Sequence, residues 1–438
     1  MLETAKNSEA QTAQDVIMKK AEKPKKPTWI KAVLPFNIAI GPVSTLVALL
    51  ILNSNGTVIN VSLAVTLFNA VSIPSAIFWG FVTDRFHDRK LLIMSSYIGT
   101  AMILLFFLFA DSFFQITILY ALFSFVTTAV TTPLNLLVME TSPKQKWSTA
   151  FAWFSMVISI GNTLGLVLSA IWSAYFILEY IAIPLAILSM TSGILSALLI
   201  KEPSVFLERE VMIHNRYSFF ARLKHVPFVF LRVPKYFDFK RVFRTLKNGL
   251  TLNVPVLILS IFMFYVAAGI FNTSLVPSLA ANRIPSIAIF GIVTTVNIVQ
   301  ILSFRFAGSY DEKNSLRKVS IVGLTLRSTC YALTGICFFL ISGEWLAIFV
   351  AVLYSLAGGV AYSIYYTAAN TMVFNTVAGH RGNGYSLGVY SALVGIATMV
   401  GSLISGLASF YLGFGATFLL AGASLTLSIW LVSLLNSP

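Results

Sequence analysis

The sequence predicts an all-α polytopic membrane protein whose twelve transmembrane helices form two pseudo-symmetric six-helix bundles. Three observations predict this fold class. Of the 438 residues, 57% are hydrophobic and only 11% are charged, against roughly 25% charged residues in soluble domains. Apolar segments long enough to span a bilayer occur twelve times along the chain. A stripe of small residues in the fifth segment returns at the same spacing in the eleventh.

The composition excludes a soluble protein of this length. A soluble chain of this size would form about three domains, and so few charges could not cover their surface. A hydrocarbon core about 30 Å thick needs about 20 apolar residues per helix, so the roughly 250 hydrophobic side chains suffice for about twelve spans. The two cysteines, Cys330 and Cys337, fall seven residues apart in one apolar segment and carry no disulfide signal.

Six apolar segments precede a charged central stretch, and six follow it. The first six are predicted at 32–52, 58–82, 90–110, 113–138, 147–174 and 178–200. The second six are predicted at 249–275, 285–307, 319–341, 345–370, 383–411 and 413–436. The predicted regions are therefore a disordered basic cytoplasmic tail (1–31), a six-helix bundle (32–200), a basic interfacial linker (201–248) and a second six-helix bundle (249–438).

The basic residues predict the orientation of the chain. Of the 30 Lys and Arg residues, 28 fall in the tail, in the central stretch or in loops on the same side of the twelve segments. The exceptions are Arg283, in a loop on the other side, and Arg327, inside a span. Cytoplasmic loops are enriched in Lys and Arg. We therefore expect a plasma-membrane protein with both termini in the cytoplasm.

The central stretch, 201–248, holds 11 basic and 4 acidic residues interleaved with phenylalanines. Basic and aromatic residues at this density are typical of helices that lie in the membrane interface. We interpret the stretch as a structural tether between the bundles and expect no nucleic-acid partner. A regulatory or nucleic-acid role is the alternative reading.

A repeat of small residues relates the two halves. The stripe in the fifth segment is Gly161, Gly165, Ser169 and Ser173, and its counterpart 236 residues later is Ala397, Gly401, Ser405 and Ser409. A stripe at four-residue spacing lets another helix approach closely. We expect Gly161 and Gly165 to be packing positions in the first half. We expect Gly401 and Ser405 to be packing positions in the second half. Such repeated halves are typical of transporters.

The second segment ends in an acidic residue followed by basic residues. Ser72, Ala76, Gly80 and Asp84 are spaced to share one helical face, which predicts a close-packed seam that ends in a carboxylate. Arg85, Arg89 and Lys90 follow immediately, and the second half repeats the pattern weakly from Gly308 through Asp311 to Lys313.

This segment resembles the loop 2–3 signature of the major facilitator superfamily, Gly-x-x-x-Asp-Arg-x-Gly-Arg-Arg/Lys. Five residues occupy matching positions: Gly80, Asp84, Arg85, Arg89 and Lys90. His87 and Asp88 depart from the signature. The resemblance extends to the twelve spans, the basic central stretch and the related halves.

The resemblance implies a gate at the cytoplasmic side. Asp84 would lie near the start of the eleventh helix, where a carboxylate interacts favourably with exposed backbone N–H groups. Glu140 resembles the family's second acid, which would pair with Arg85 or Arg89. The alternative is that these charges only anchor helix ends at the interface.

The resemblance also implies that the first, fourth, seventh and tenth helices surround a substrate cavity. The neutral polar and aromatic residues there are Asn37, Thr128, Thr131, Asn135, Tyr265, Asn272, Tyr354, Tyr362, Tyr366 and Asn370. Hydroxyls, amides and rings suit a neutral or amphiphilic solute. For each residue singly, the alternative is an interhelical hydrogen bond.

Charged residues are almost absent from the predicted membrane interior. No Asp or Glu falls near the centre of a span, but Arg327 lies nine residues past Lys318, about 13.5 Å deep by helical rise. An arginine at this depth suggests a functional contact. The two readings are a contact with an anion or lipid headgroup and a snorkelling structural residue.

These observations predict a secondary transporter that moves a small organic or amphiphilic solute by alternating access. The fifth helix resembles the family's glycine-rich antiporter signature, which favours an exporter, although Leu166 stands where that signature has proline. The alternatives are an uptake carrier or facilitator for a neutral solute such as a sugar, and a non-transporting membrane sensor.

The sequence indicates a transporter rather than an enzyme. It contains no phosphate-binding Gly-x-x-x-x-Gly-Lys-Ser/Thr motif, and its four histidines lack metal-ligand spacing. We expect no cofactor and no metal. The expected partners are a small-molecule solute and membrane lipids, with a coupling proton left open because no carboxylate lies deep in a span. We expect a monomer.

Overall fold

The computed structural model describes residues 29–85, 88–141, 147–200, 253–313, 315–377 and 383–435. All regular secondary structure in these ranges is helical. Twelve helices there are long and apolar enough to cross a membrane, which confirms the predicted number and order of spans. The predicted linker and nearly all of the predicted tail lie outside the described residues.

The helices are named α1 to α12 after the twelve spans. In the first half they are α1 (Ile30–Ile40 and Val43–Asn53), α2 (Val58–Arg85), α3 (Arg89–Phe106), α4 (Phe113–Thr128 and Thr131–Glu140), α5 (Trp147–Tyr175) and α6 (Ala182–Leu199). In the second half they are α7 (Asn253–Ala281), α8 (Ser286–Lys313), α9 (Leu316–Leu340), α10 (Glu344–Tyr354, Ser355–Ala361 and Tyr362–Val377), α11 (Asn383–Tyr411) and α12 (Gly413–Ser433).

Two of the predicted continuous spans are broken into two segments. Helix α1 is interrupted at Gly41 and Pro42, and α4 is interrupted at Ala129 and Val130, before Pro133. Proline has no backbone N–H to donate, and its ring clashes with the carbonyl four residues earlier. Both breaks lie within four residues of such a proline, Pro42 in α1 and Pro133 in α4.

Helix α10 contains a π-helical turn that the sequence analysis did not predict. The turn covers Ser355–Ala361 and includes the pair Gly358 and Gly359. A β-carbon on Gly359 would lie 2.6 Å from Val299 Cγ1, and one on Gly358 would lie 2.8 Å from Val296 Cγ1, so the turn packs tightly on α8. Such turns are rare and occur frequently at functional sites.

The helices form two bundles, α1–α6 and α7–α12, with equivalent packing. In the first bundle α1 packs on α5 and α6, and α3 packs on α6. In the second, α7 packs on α11 and α12, and α9 packs on α12. The bundles meet through two equivalent pairs, α2 with α11 and α5 with α8. This arrangement is the predicted pair of pseudo-symmetric halves.

The outward surfaces of the bundles are apolar. Large exposed hydrophobic side chains include Met102 on α3, Ile187 on α6, Leu333 on α9 and Trp430 on α12. Exposed apolar surface on this scale is unfavourable in water and favourable in lipid. Together with the twelve apolar helices, it identifies an integral membrane protein.

Candidate functional site

The two bundles are closed against each other at one side of the molecule. We call the side where α1 begins and α12 ends the terminal side, and the other the opposite side. Near the opposite side, the Ser62 hydroxyl donates to the Ser402 carbonyl oxygen, and the Thr66 and Ser402 hydroxyl oxygens are 2.9 Å apart. A β-carbon on Gly406 would overlap Ser62. Helices α2 and α11 therefore pack closely there.

Toward the terminal side, the side chains at the start of α11 (383–392) lie outside the described residues. A β-carbon on Gly395 of α11 would lie 2.8 Å from Ile73 Cγ1, but around a β-carbon on Gly80 no described atom lies within 4 Å. Ala76, which lies between Ile73 and Gly80 on α2, is exposed. The structure shows close packing along this face at Ser62 and Ile73, and the predicted seam stays a prediction at Gly80. The interface of α2 with α11 is therefore closed near the opposite side.

The predicted gate charges fall largely outside what the structure describes. The side chains of Asp84, Arg85 and Glu140 are outside the described part of the chain, although all three lie in the helices α2 and α4. Arg89 and Lys90 form the first turn of α3 and are half-buried. The pairing of Glu140 with the arginines remains a prediction.

The small residues of α5 lie directly against α1. A β-carbon on Gly161 would lie 2.6 Å from Asn37 Cβ, and one on Gly165 would lie 3.0 Å from Pro42 Cδ. These separations leave no room for a larger side chain at either position without displacing α1.

The equivalent residues of α11 lie against α7. A β-carbon on Gly401 would lie 3.0 Å from Gly269 Cα. The Ser405 hydroxyl donates to the Ile270 carbonyl oxygen at 2.7 Å and also pairs with the Ser274 hydroxyl. Ser409 Oγ lies 2.6 Å from Ser274 Oγ, so the small residues also supply interhelical hydrogen bonds.

Asn37 does not line a cavity, which corrects its predicted role. It is 4% exposed, and its amide donates to the Val33 carbonyl oxygen one turn earlier at 2.8 Å. Its β-carbon faces Gly161 of α5. The amide is thus satisfied within α1 and buried in the first bundle, because the glycine stripe brings α5 onto this face of α1.

The polar residues of α4 differ in exposure. Thr131 and Asn135, four residues apart on one face of the second segment, are both exposed. Thr128 is half-buried, and its hydroxyl donates to the Ser124 carbonyl oxygen at 2.6 Å, within the same helix.

In the second bundle, polar side chains from three helices come together around the π-helical turn. The Tyr354 hydroxyl donates to the Asn272 side-chain oxygen at 3.1 Å, joining α10 to α7. The Ser355 hydroxyl donates to the Thr295 hydroxyl at 3.3 Å, joining α10 to α8. Asn272 and Thr295 are exposed, and Tyr265, seven residues before Asn272 on the same side of α7, is half-buried.

Aromatic rings continue this wall along α10. The rings of Tyr362 and Tyr366 stack with centroids 5.2 Å apart. Phe304 of α8 meets both rings edge-on, at 6.2 Å from Tyr362 and 5.9 Å from Tyr366. The side chain of Asn370, predicted to continue the row, is outside the described residues.

Arg327 lies in an aromatic cage inside the second bundle. It is 3% exposed, and its guanidinium carbon is 4.5 Å from the ring centre of Phe264, 5.2 Å from that of Tyr331 and 5.4 Å from that of Tyr362. Its Nε donates to the Tyr331 hydroxyl at 2.9 Å. The snorkelling reading of Arg327 is therefore wrong, because the side chain points into the bundle.

Phe264 and Tyr331, which form the other two walls of this cage, were not predicted from the sequence. Tyr331 follows Arg327 by four residues, a spacing that places both on one face of α9. That spacing could have indicated the pair, whereas nothing in the sequence relates Phe264 to α9.

Metal binding finds no support in the part of the chain that the structure describes. Those ranges contain no group of three or more His, Cys, Asp or Glu side chains that could hold an ion. Cys330 and Cys337 are free thiols.

Comparison with known proteins identifies a matching family. A family model described as Major Facilitator Superfamily matches residues 33–246. The match covers nearly all of the first bundle and 214 of the 438 residues. A match to this family indicates a membrane transporter rather than an enzyme. No curated protein sequence matches the chain.

Solved structures with the same fold extend the likeness to nearly the whole chain. A crystal structure of a mutant of the nucleoside transporter NupG has a TM-score of 0.68 at 12% sequence identity, covering 93% of this chain and 98% of that one. A mutant of the peptide transporter POT, in complex with alafosfalin, has a TM-score of 0.68 at 11% identity, covering 93% and 94%. At these identities the likeness concerns the fold.

Proposed function

We propose that the protein belongs to this superfamily and is a secondary transporter that moves a small organic or amphiphilic solute across the plasma membrane by alternating access. The terminal side faces the cytoplasm, in accord with the basic residues on that side. The described structure then corresponds to the state that is open to the cytoplasm.

The observation that carries the proposal is the unequal packing along one face of α2. At Ser62 and Thr66 the face is hydrogen-bonded to α11, and around a β-carbon on Gly80 no described atom lies within 4 Å. Rocking of one bundle against the other would exchange the two ends, with the solute pathway opening to alternate sides. The gate residues Asp84, Arg85 and Glu140, with Arg89 and Lys90, would close the cytoplasmic end.

We assign the solute pathway to exposed and half-buried polar and aromatic side chains of α4, α7 and α10. They are Thr131 and Asn135 of α4, Tyr265 and Asn272 of α7, and Tyr354, Tyr362 and Tyr366 of α10. Amides, hydroxyls and rings bind an organic solute that combines an apolar body with polar groups.

We further propose export as the direction of transport. Its support is the resemblance of Gly161 and Gly165 in α5 to the family's antiporter signature. Uptake of a neutral solute is the second candidate, because NupG and POT, which share the fold, are named as transporters of nucleosides and peptides.

Counterflow in proteoliposomes tests the proposal. Purified full-length protein is first screened by thermal melting against sugars, nucleosides, peptides, organic anions and lipophilic cations. A solute at 100 times its dissociation constant stabilises the folded state by about 2.7 kcal/mol. Vesicles loaded with the unlabelled hit are then diluted into a trace of the labelled hit.

Transient accumulation of label above equilibrium, absent from protein-free vesicles, is the expected result for a carrier. Ligand-dependent melting without counterflow would contradict transport and indicate a sensor. Direction follows from vesicles with an imposed solute or proton gradient.

A further inference from the structure

Arg327 carries a charge that no neighbouring helix neutralises. An arginine guanidinium stays protonated in proteins. The acidic residues of the second bundle are Asp311 and Glu312, near the end of α8, and Glu344, the first residue of α10. Helices α7, α9, α11 and α12 contain no Asp or Glu. A buried charge without a partner is costly, so its retention needs a reason.

The cage satisfies this cation in part. The faces of Phe264, Tyr331 and Tyr362 lie within 5.4 Å of the guanidinium carbon and offer cation–π attraction. Tyr331 accepts one hydrogen bond from Nε. The buried Nη1 has no hydrogen-bond partner among the described residues. An unmade hydrogen bond from a buried charged group is unfavourable, so the site lacks an acceptor.

The position of the cage connects it to the pathway rather than to the lipid headgroups. Arg327 lies eleven residues from Leu316 and thirteen from Leu340, about 16 and 20 Å from the ends of α9 by helical rise. Two of the cage rings come from α7 and α10, and Tyr362 is the half-buried one that stacks on Tyr366. Tyr362 is therefore the cage wall that the site shares with the proposed pathway.

We propose that Arg327 binds the anionic group of the transported solute, so that the substrate class is an aromatic or amphiphilic organic anion. The inference rests on the proposed transport function and names its substrate. A carboxylate or phosphate oxygen accepts from Nη1 in a charge-assisted hydrogen bond. The rings of Tyr362 and Tyr366 contact the apolar body of the solute, as the proposed pathway requires.

The test compares ligands of equal size and different charge on purified full-length protein. Benzoate and phenyl phosphate are the anionic probes, benzamide the neutral one and benzylammonium the cationic one. Affinities come from the rise in melting temperature with ligand concentration. The expected order is anion above amide above cation. Arg327→Gln should weaken the binding of the anions at least about tenfold and leave the binding of benzamide unchanged.

Lys318→Gln is the matched control, since it removes one positive charge from the exposed start of the same helix. It should leave the affinity for the anions unchanged. If Arg327→Gln does not fold, the wild-type series decides, because equal or stronger binding of benzamide or benzylammonium overturns the proposal. Absence of any anion-dependent shift in the wild type also overturns it.

Two further outcomes separate the source of the anion and the underlying function. A shift that requires Arg327 and appears with added phosphatidylglycerol, but not with the soluble anions, would assign the site to lipid and overturn the substrate proposal. Counterflow of a neutral solute with no effect of Arg327→Gln would overturn this inference and leave transport intact. Ligand binding without counterflow of any probe would overturn the transport function itself.

Discussion

Replacing Gly406 with valine should shift the protein away from the described state. Gly406 of α11 faces Ser62 of α2 so closely that even a β-carbon there would overlap the serine side chain. Overpacking of this kind costs about 1–3 kcal/mol. Because the strain arises only when α2 and α11 are closed at the opposite side, the ratio of the two states should change by about 5–150-fold.

Gly80→Val is the matched control on the same helix pair. Around a β-carbon on Gly80, no described atom lies within 4 Å, so no described contact opposes valine there. The two variants make the same chemical change on α2 and α11, at opposite ends of their interface. If closure of the terminal side brings Gly80 against α11, Gly80→Val should favour the described state.

Distances between spin labels report this shift. Asn53 and Ala281 are exposed at the opposite side, on α1 and α7, and can carry labels after Cys330 and Cys337 are replaced by alanine. Gly406→Val should lengthen the distance between the labels, and Gly80→Val should leave it short. A folded Gly406→Val protein with an unchanged distance distribution would refute the reasoning.

Three further predictions concern packing and the pathway. Gly165→Val should lower the melting temperature strongly, since a β-carbon there would lie 3.0 Å from Pro42 Cδ. Gly291→Val on α8 should not, because no described atom lies within 4 Å of a β-carbon at that position. Equal melting temperatures of the two variants would contradict the described packing of α5 on α1. Ser405→Ala should cost about 1–3 kcal/mol of stability because it leaves buried partners unsatisfied. The comparison in thermal melting is Ser424→Ala, because the half-buried Ser424 donates only within its own helix α12, to the Leu420 carbonyl oxygen. Tyr354→Phe removes the hydrogen bond to Asn272 and should weaken solute binding by up to about tenfold, and an unchanged affinity would remove Tyr354 from the pathway.

The number of helices and the pairing of the halves could be predicted because both depend on the local sequence. Hydrophobic length determines which segments can span a bilayer, and the stripe at Gly165 and Gly401 marks equivalent helices. The breaks in α1 and α4 could also have been predicted from Pro42 and Pro133. The π-helical turn could not be predicted, because the role of Gly358 and Gly359 depends on their close packing against α8.

The site was predicted less completely because it depends on how helices are arranged in space. Asn37 looked like a cavity residue, but contact between Gly161 and α1 buries it. Arg327 was recognised as unusual from its depth, but its surroundings could not be inferred, because Phe264 is distant in sequence. The seam on α2 was predicted from spacing alone, which cannot show where along the seam α2 is hydrogen-bonded to α11.

A reversible cross-link between α2 and α11 tests alternating access most directly. The hydroxyl oxygens of Thr66 and Ser402 are 2.9 Å apart, and disulfides require β-carbons about 3.5–4.5 Å apart. With Cys330 and Cys337 replaced by alanine, Thr66→Cys/Ser402→Cys should lose counterflow on oxidation and regain it on reduction, while either single variant is unaffected by oxidation. Undiminished counterflow by fully cross-linked protein would contradict the account, because the solute would then cross without the opposite side opening at this interface.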